Sequence, residues 1–180
     1  MSRWIKLGLV TIALAAVLHV AIVELVPVAI TGVFMARLGK QYGINRVLAN
    51  PLPTDKARAV VKPSPDLLYA VCIYDVAAGP VHIALKPPPG YWSLSLFARN
   101  TDNFFKLSAA DLRDANAEIV LGQPRDAQRA QTDFPAARFV ATPGASGVML
   151  ARLLVLDPKH METEVAAQKS VRCDAIGKRS

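Results

Sequence analysis

The sequence predicts a mainly β protein: an antiparallel β-sandwich of jelly-roll type, preceded by an N-terminal transmembrane helix and followed by a C-terminal helix. Two observations predict this class. Ionisable side chains are nearly absent from residues 7–36, where only His19 and Glu24 occur. The chain after this segment has short apolar runs separated by turns rich in glycine and proline, which is typical of antiparallel sheets. Subtracting residues 1–36 from 180 leaves 144 residues, enough for one domain with one core.

The N-terminal segment has the charge and length of a membrane anchor. Arg3 and Lys6 precede an apolar run. The 17 residues from Leu7 to Val23 cover about 26 Å as a helix, and continuation to Ala36 exceeds the ~30 Å hydrocarbon core. A cleaved secretory signal also starts with positive charge, but it has a shorter apolar core and a small-x-small cleavage site. We therefore predict an uncleaved anchor at residues 1–36 that contacts the lipid bilayer through residues 7–36.

Glu24 interrupts the apolar run. A carboxylate in hydrocarbon is costly, so it lies at an interface, is protonated, or is hydrogen-bonded by a partner helix. The sequence leaves these alternatives open. Pro27 is expected to kink or end the first helical stretch.

The soluble part divides into a linker at residues 37–65, rich in proline after residue 50, and a β-rich domain at residues 66–180. A helix is expected to finish somewhere within residues 37–50. The hydrophobic pattern predicts strands at 67–76, 81–85, 91–99, 118–121, 137–141 and 147–156. A final helix is predicted at residues 158–172, with Pro158 in its first turn.

Several short motifs resemble a known bacterial family. They are Ser64-Pro65-Asp66-Leu67-Leu68-Tyr69, Asp75, Gly79-Pro80-Val81, Tyr91-Trp92-Ser93-Leu94 and Asn100-Thr101-Asp102-Asn103-Phe104. The chain resembles the domain of unknown function 1254 family, in its short, membrane-anchored alphaproteobacterial form. The resemblance implies a β-rich fold in the cell envelope and a separate partner protein carrying the sister domain of unknown function 1214. It implies no established reaction, and Ala98 stands where many members have an acidic residue.

The densest polar cluster is Arg99-Asn100-Thr101-Asp102-Asn103, at the end of an apolar strand. Together with Asp66, Tyr69 and Tyr91, it is a candidate ligand-binding site, in which Arg99 would bind an anion. The alternative is structural, because Asn, Asp and Thr side chains commonly bond the backbone of their own turn.

Cys72 and Cys173 are the only cysteines. They could be two unrelated buried thiols. We favour a disulfide, because an even count in an envelope domain is typical of an oxidising compartment. The bridge would stabilise the fold by ~4 kcal/mol in the chain-entropy model. It also places the domain in the periplasm, with the anchor in the inner membrane.

Composition and motifs exclude several functions. The pI near 9.7 comes from scattered basic residues, which is not the pattern of a nucleic-acid interface. The three histidines are not spaced for a metal site, and no nucleophile, phosphate-binding or dinucleotide motif occurs. We therefore predict no metal or cofactor. The leading hypothesis is a non-enzymatic envelope module; the alternative is an envelope hydrolase acting on a phosphorylated or sugar substrate through the Arg99–Asn103 cluster.

Overall fold

The computed structural model describes residues 2–54, 63–112 and 117–177. Within these ranges, three α-helices surround two sheets. The helices are α1 (Arg3–Tyr42), α2 (Ala127–Asp133) and α3 (Glu162–Ser170). The strands are β1 (Val47–Asn50), β2 (Leu67–Asp75), β3 (Val81–Leu85), β4 (Trp92–Ala98), β5 (Asn103–Ser108), β6 (Ala117–Gly122), β7 (Arg138–Ala141), β8 (Ser146–Leu154) and β9 (Arg172–Ala175).

Helix α1 has 40 residues and is about 60 Å long at 1.5 Å per residue. Among the described residues, it is the one helix long and apolar enough to cross a membrane, and its most apolar stretch is entirely unburied. Pro27 lies inside the helix and does not end it. The expectation that Pro27 could end the helix is therefore wrong, since a long helix tolerates the loss of one backbone hydrogen bond at proline.

The end of α1 is fixed by glycine. Gly43 has φ of +94°, a conformation that favours glycine, and its N–H donates to the Gly39 carbonyl. The chain then reverses into β1, so no helix continues to residue 50. This strand lies within the segment predicted to be a linker, and residues 55–62 of that segment lie outside the described part of the chain.

The five-stranded sheet has the order β1-β2-β8-β4-β5, and the four-stranded sheet has the order β7-β6-β3-β9. The predicted two-sheet architecture with helices at both ends is confirmed. The jelly-roll connectivity is not confirmed. The expectation of purely antiparallel sheets is wrong for one pair, because β6 and β7 are parallel. The chain between them passes through α2, the kind of crossover that parallel neighbours require.

All six predicted strands are present, each within two residues of its predicted bounds. Three strands were missed: β1, β5 and β9. β1 and β9 have four residues each, and β5 carries Asn103 and Lys106 without a clear apolar alternation. The last helix was predicted too long, since α3 ends at Ser170 and β9 follows it.

The two sheets enclose one core, formed by the inward faces of the central strands. Trp92, Leu94 and Leu96 of β4 face this core, and all are at most 1% exposed. The predicted disulfide is confirmed: the Cys72 and Cys173 sulfurs are 2.03 Å apart and their Cα atoms 6.5 Å apart. It joins β2 of one sheet to the edge strand β9 of the other.

Helix α3 is tied to the five-stranded sheet by one buried amide. Gln168 Nε2 donates to the carbonyl oxygens of Asn50 (2.7 Å) and Tyr69 (2.8 Å). These bonds join α3 to both β1 and β2. The C-terminal tail is therefore held by Gln168 on one side of Ser170 and by the disulfide on the other.

Candidate functional site

The predicted Arg99–Asn103 cluster forms the tight connection between β4 and β5. The Ala98 N–H donates to the Asp102 carbonyl (2.9 Å), and the Thr101 N–H donates to the Ala98 carbonyl (3.0 Å). Asn100 Nδ2 donates to Asp102 Oδ2 at 2.6 Å, and Thr101 has φ of +75°. These polar groups largely bond one another, as in the structural interpretation of this sequence.

Arg99 and its turn are exposed, but the guanidinium group is not isolated. It lies against helix α1, where a methyl group at Gly32 would be only 3.1 Å from Arg99 Nη2. The absence of a side chain at Gly32 therefore allows the helix to approach the turn closely. Arg99 faces the anchor helix rather than an enclosed pocket.

The other predicted site residues lie at the opposite end of the same sheet. Asp66 and Tyr91 are connected to the end of β8 and the residue after it, because their carbonyls accept from the Val155 (2.8 Å) and Leu154 (2.9 Å) N–H groups. The seven residues of strand β4 separate Tyr91 from Arg99, which puts about 26 Å between them. The predicted residues therefore form two groups and do not line one pocket.

Tyr69 lies nearer to the Asp66 end. Its hydroxyl accepts a hydrogen bond from the Ser64 N–H at 3.0 Å. This bond closes the turn before β2, so the phenol has a structural partner. Tyr91, in contrast, is 53% exposed.

A polar row on the outer face of the five-stranded sheet was not anticipated as a site. Ser93 of β4 lies between Arg152 of β8 and Ser108 of β5, and Ser95 is the next residue on the same face. Both serine hydroxyls and Arg152 Nε are buried and have no hydrogen-bond partner among the described residues. Such groups are uncommon in a native fold. The serines are at most 1% exposed, so they present no surface that a ligand could contact directly.

The second polar pair is on the outer face of the four-stranded sheet. His82 Nε2 lies 2.7 Å from Glu118 Oε1, and the His82 ring stacks on Phe134 with 4.6 Å between ring centroids. The His82 side chain is 20% exposed. The pair joins β3 to β6, and the stacked ring joins β3 to the segment after α2.

The remaining titratable features are local. Hydrogen bonds from Ser108 hold the pKa of Asp111 below its usual range, and the His160 hydrogen bond does the same for the pKa of Asp157. Burial raises the pKa of Tyr74 to about 12, against the lowering effect of a hydrogen bond with Thr142. The Tyr74 hydroxyl donates to the Phe97 carbonyl at 3.0 Å. None of these three groups adjoins another in a catalytic arrangement.

Metal-ligand clusters of three or more His, Cys, Asp or Glu side chains are absent from the described ranges. A shallow groove runs along α2, where Arg129 pairs with Asp133 at 3.4 Å and also donates to the Gly177 carbonyl. The groove is lined by Arg125, Gln128, Arg129, Thr132 and Asp133. Arg129 is thus engaged with Asp133 and with the C-terminal tail, which is a structural use.

The family model for "Protein of unknown function (DUF1254)" matches residues 44–175. This chain belongs to the DUF1254 family. The matched range starts just after α1 and ends with β9, so it includes both sheets of the DUF1254 fold. A comparison with curated proteins finds no match.

A solved structure shares the fold seen here. The chain is similar to the VPA0106 protein of Vibrio parahaemolyticus, with a TM-score of 0.62 and 14% identity, covering 89% of this chain and 41% of that one. An uncharacterised protein of Burkholderia cenocepacia matches with a TM-score of 0.47 and 16% identity, over 69% of this chain and 36% of that one. This DUF1254 chain thus spans less than half the length of either protein.

Proposed function

We propose that this DUF1254 protein is a single-pass, inner-membrane module that displays its sandwich at the periplasmic surface and acts with a partner protein carrying the sister domain. One observation carries the proposal. The apolar length of α1 is uncovered, whereas the helix meets the domain toward its C-terminal end: Met35 is buried, Gly32 lies against Arg99, and Gly39 lies against Ile44. An uncovered apolar helix that continues into a packed domain is what an anchor requires.

The disulfide supports a periplasmic domain. Disulfides persist in oxidising compartments and are rare in the cytoplasm. Cys72 and Cys173 are both 1% exposed, so the disulfide lies in the core rather than on the surface. The positive residues after the span, Arg37 and Lys40, do not favour this orientation by themselves, because the positive-inside rule counts both flanks.

A binding module agrees better with the site geometry than a hydrolase does. A hydrolase built on Arg99 would need acid, base or orienting groups within hydrogen-bond reach of one substrate. Tyr91 is instead about 26 Å away along β4, and Asp66 lies at the Tyr91 end of the sheet, where its carbonyl accepts from the Val155 N–H. The turn at Arg99 is also satisfied internally, with Asp102 bonded to Asn100.

The partner is proposed on family resemblance alone. The resemblance implies a separate partner protein that carries the sister domain. The partner surface on this chain would be on the domain, in α1, or in both.

Topology and partnership can be tested on the full chain in bacterial membranes. Alkaline phosphatase fused after Ser180 should be active, and a cytoplasmic reporter at the same place should be silent. Crosslinking in intact cells, followed by purification and mass spectrometry, should recover a protein with the sister domain. A matched control replaces residues 2–26 with an unrelated single-pass anchor of equal length. Recovery with both anchors assigns the contact to the domain, recovery with the native anchor alone assigns it to α1, and recovery with neither contradicts the partnership.

A further inference from the structure

We propose that the β5 edge of the sandwich rests in the headgroup layer of the bilayer and binds anionic phospholipid headgroups through Arg99, Lys106 and Arg138. The inference goes beyond the proposed function but rests on it in one respect, because it requires α1 to span the membrane. It assigns a role to the Arg99 turn, which the site geometry left without a pocket.

Helix α1 runs across the end of the five-stranded sheet from β1 toward β5. Gly39 lies against Ile44, just before β1, and Gly32 lies against Arg99, just after β4. Helix α1 also contacts β2, which lies between them in the sheet order. The helical rise from Gly39 to Gly32 is about 10 Å, comparable with the roughly 14 Å across three strand spacings from β1 to β4. The helix therefore crosses the strands, and its N-terminal direction leads toward β5.

The depth follows from the helix length. If the hydrocarbon core begins at Leu7, about 20 residues bring it to Val26, and Gly32 lies about 9 Å beyond. If the core is centred on residues 7–36, it ends near Thr31, directly beside Gly32. β5 is one further strand, about 5 Å, toward the membrane. Both placements bring Arg99 and the β5 edge into or beside the headgroup layer.

The charge of this edge fits an anionic surface. Lys106 is exposed on β5, and Arg138 of β7 stacks over the Phe105 ring at 5.1 Å, which places it beside the same edge. Two carboxylates, Asp102 and Asp111, lie near these cations and keep their negative charge, because the groups that donate to them, Asn100 and Ser108 Oγ (2.7 Å), are neutral. The three cations exceed these two carboxylates by one charge. Guanidinium and ammonium groups at a membrane surface attract lipid phosphates, and guanidinium binds them in a bidentate manner.

The outer edge of β5 is a second feature that a headgroup layer could cover. β5 is the last strand of its sheet, so one row of its N–H and C=O groups is unpaired by strands in the described residues. Exposed edges of this kind promote unwanted association unless they are covered or charged. A headgroup layer would cover the edge and supply phosphate acceptors to its N–H groups.

The test uses full-length protein in lipid nanodiscs, with a nitroxide label at one introduced cysteine and depth measured from collisions with oxygen and a water-soluble nickel chelate. Asn103→Cys reports the β5 edge, and Ala49→Cys on β1 is the matched exposed control at the opposite edge of the sheet. Ala16→Cys reports the span itself. We expect a hydrocarbon signature at 16, an interfacial signature at 103 and an aqueous one at 49. An aqueous signature at 103 with a hydrocarbon signature at 16 overturns this inference alone, whereas an aqueous signature at 16 overturns the anchoring on which it rests.

The lipid specificity is tested by comparing phosphatidylcholine discs with discs that also contain phosphatidylglycerol. Anionic lipid should move the label at 103 deeper, and high salt should reverse the shift. The combined change Arg99→Gln, Lys106→Gln and Arg138→Gln should abolish the shift. The control Arg46→Gln, Lys169→Gln and Arg172→Gln removes the same charge from exposed positions outside the β5 edge and should retain it. Equal depth in both lipids for the native sequence, or equal shifts in both variants, would refute headgroup binding by these three side chains.

Discussion

Reduction of the Cys72–Cys173 disulfide is expected to lower the free energy of unfolding by about 4 to 5 kcal/mol. The bond closes a loop across 101 positions, and the chain-entropy model assigns about 4.7 kcal/mol to a loop of that size. This loop lies wholly outside α1, so a helix that stays in a micelle does not shorten it. The loss should appear as a lower urea midpoint with an altered slope, because the reduced unfolded chain exposes more surface.

The assay is urea denaturation of the full chain in detergent, with and without reductant, followed by near-ultraviolet circular dichroism. The double variant Cys72→Ala and Cys173→Ala should have the lower free energy of unfolding both with and without reductant. This control distinguishes the effect of losing the disulfide from other effects of the reductant. Trypsin should cleave the reduced protein faster at the exposed Lys159, Lys169 and Arg172, since the tail then loses its covalent tie to β2 and is held by non-covalent contacts such as the Gln168 bonds and the β3–β9 pairing. A loss below about 1 kcal/mol, with unchanged cleavage, would refute the view that the bond restrains the unfolded chain and fastens the tail.

Three further predictions concern the fold around Arg99. Gly147→Ala should destabilise by about 2 to 4 kcal/mol, because its Cβ would lie 2.2 Å from both Tyr74 Oη and the Phe97 carbonyl; Gly144→Ala, with nothing within 4 Å, is the matched control in thermal melts. Raising the pH from below 10 to above 12 should remove up to about 2.7 kcal/mol, because the pKa of Tyr74 is raised from 10.0 to about 12 and its stabilising contribution is complete only below the unfolded value. Tyr74→Phe should flatten this part of a pH series of denaturation curves, and an unchanged slope would contradict it. Arg99→Ala should change the free energy of unfolding by less than ~0.5 kcal/mol, because Arg99 is exposed. A larger decrease of this free energy, measured by urea denaturation, would show that Arg99 stabilises the contact with α1.

The sequence was most informative where one physical rule acts alone. The apolar run predicts α1 by length, and the alternation in residues 81–85 predicts the bounds of β3. Cys72 could be placed in a buried strand, and Cys173 was the only possible partner. Pairing across sheets was not predictable in this way. β9 pairs with β3, which is far from it in the chain, and the four residues of β9 are too few to show a hydrophobic alternation from which a strand could be predicted.

The separation of the predicted site residues into two groups has a physical reason already contained in the sequence. Residues 91–99 were predicted as one extended strand, and an extended strand holds its two ends about 26 Å apart. Tyr91 and Arg99 could therefore not share a small pocket unless the strand broke. The burial of Ser93 and Ser95 was a different matter. Their alternation with leucine predicts that they face solvent. In the sheet, however, the larger side chains of Arg152, Leu150 and Lys106 lie beside these two serines, which are buried.

Strand β2 connects the disulfide to helix α1. Its inner face carries Cys72, bonded to the tail, and the same strand contacts α1 and receives the Gln168 amide at the Tyr69 carbonyl. The disulfide therefore holds in place the sheet on which α1 packs. If the β5 edge rests on the membrane because α1 crosses this sheet, loss of the disulfide should loosen that orientation as well as the tail. Formation of the disulfide would then be a condition for presenting the DUF1254 domain in a fixed orientation at the bilayer.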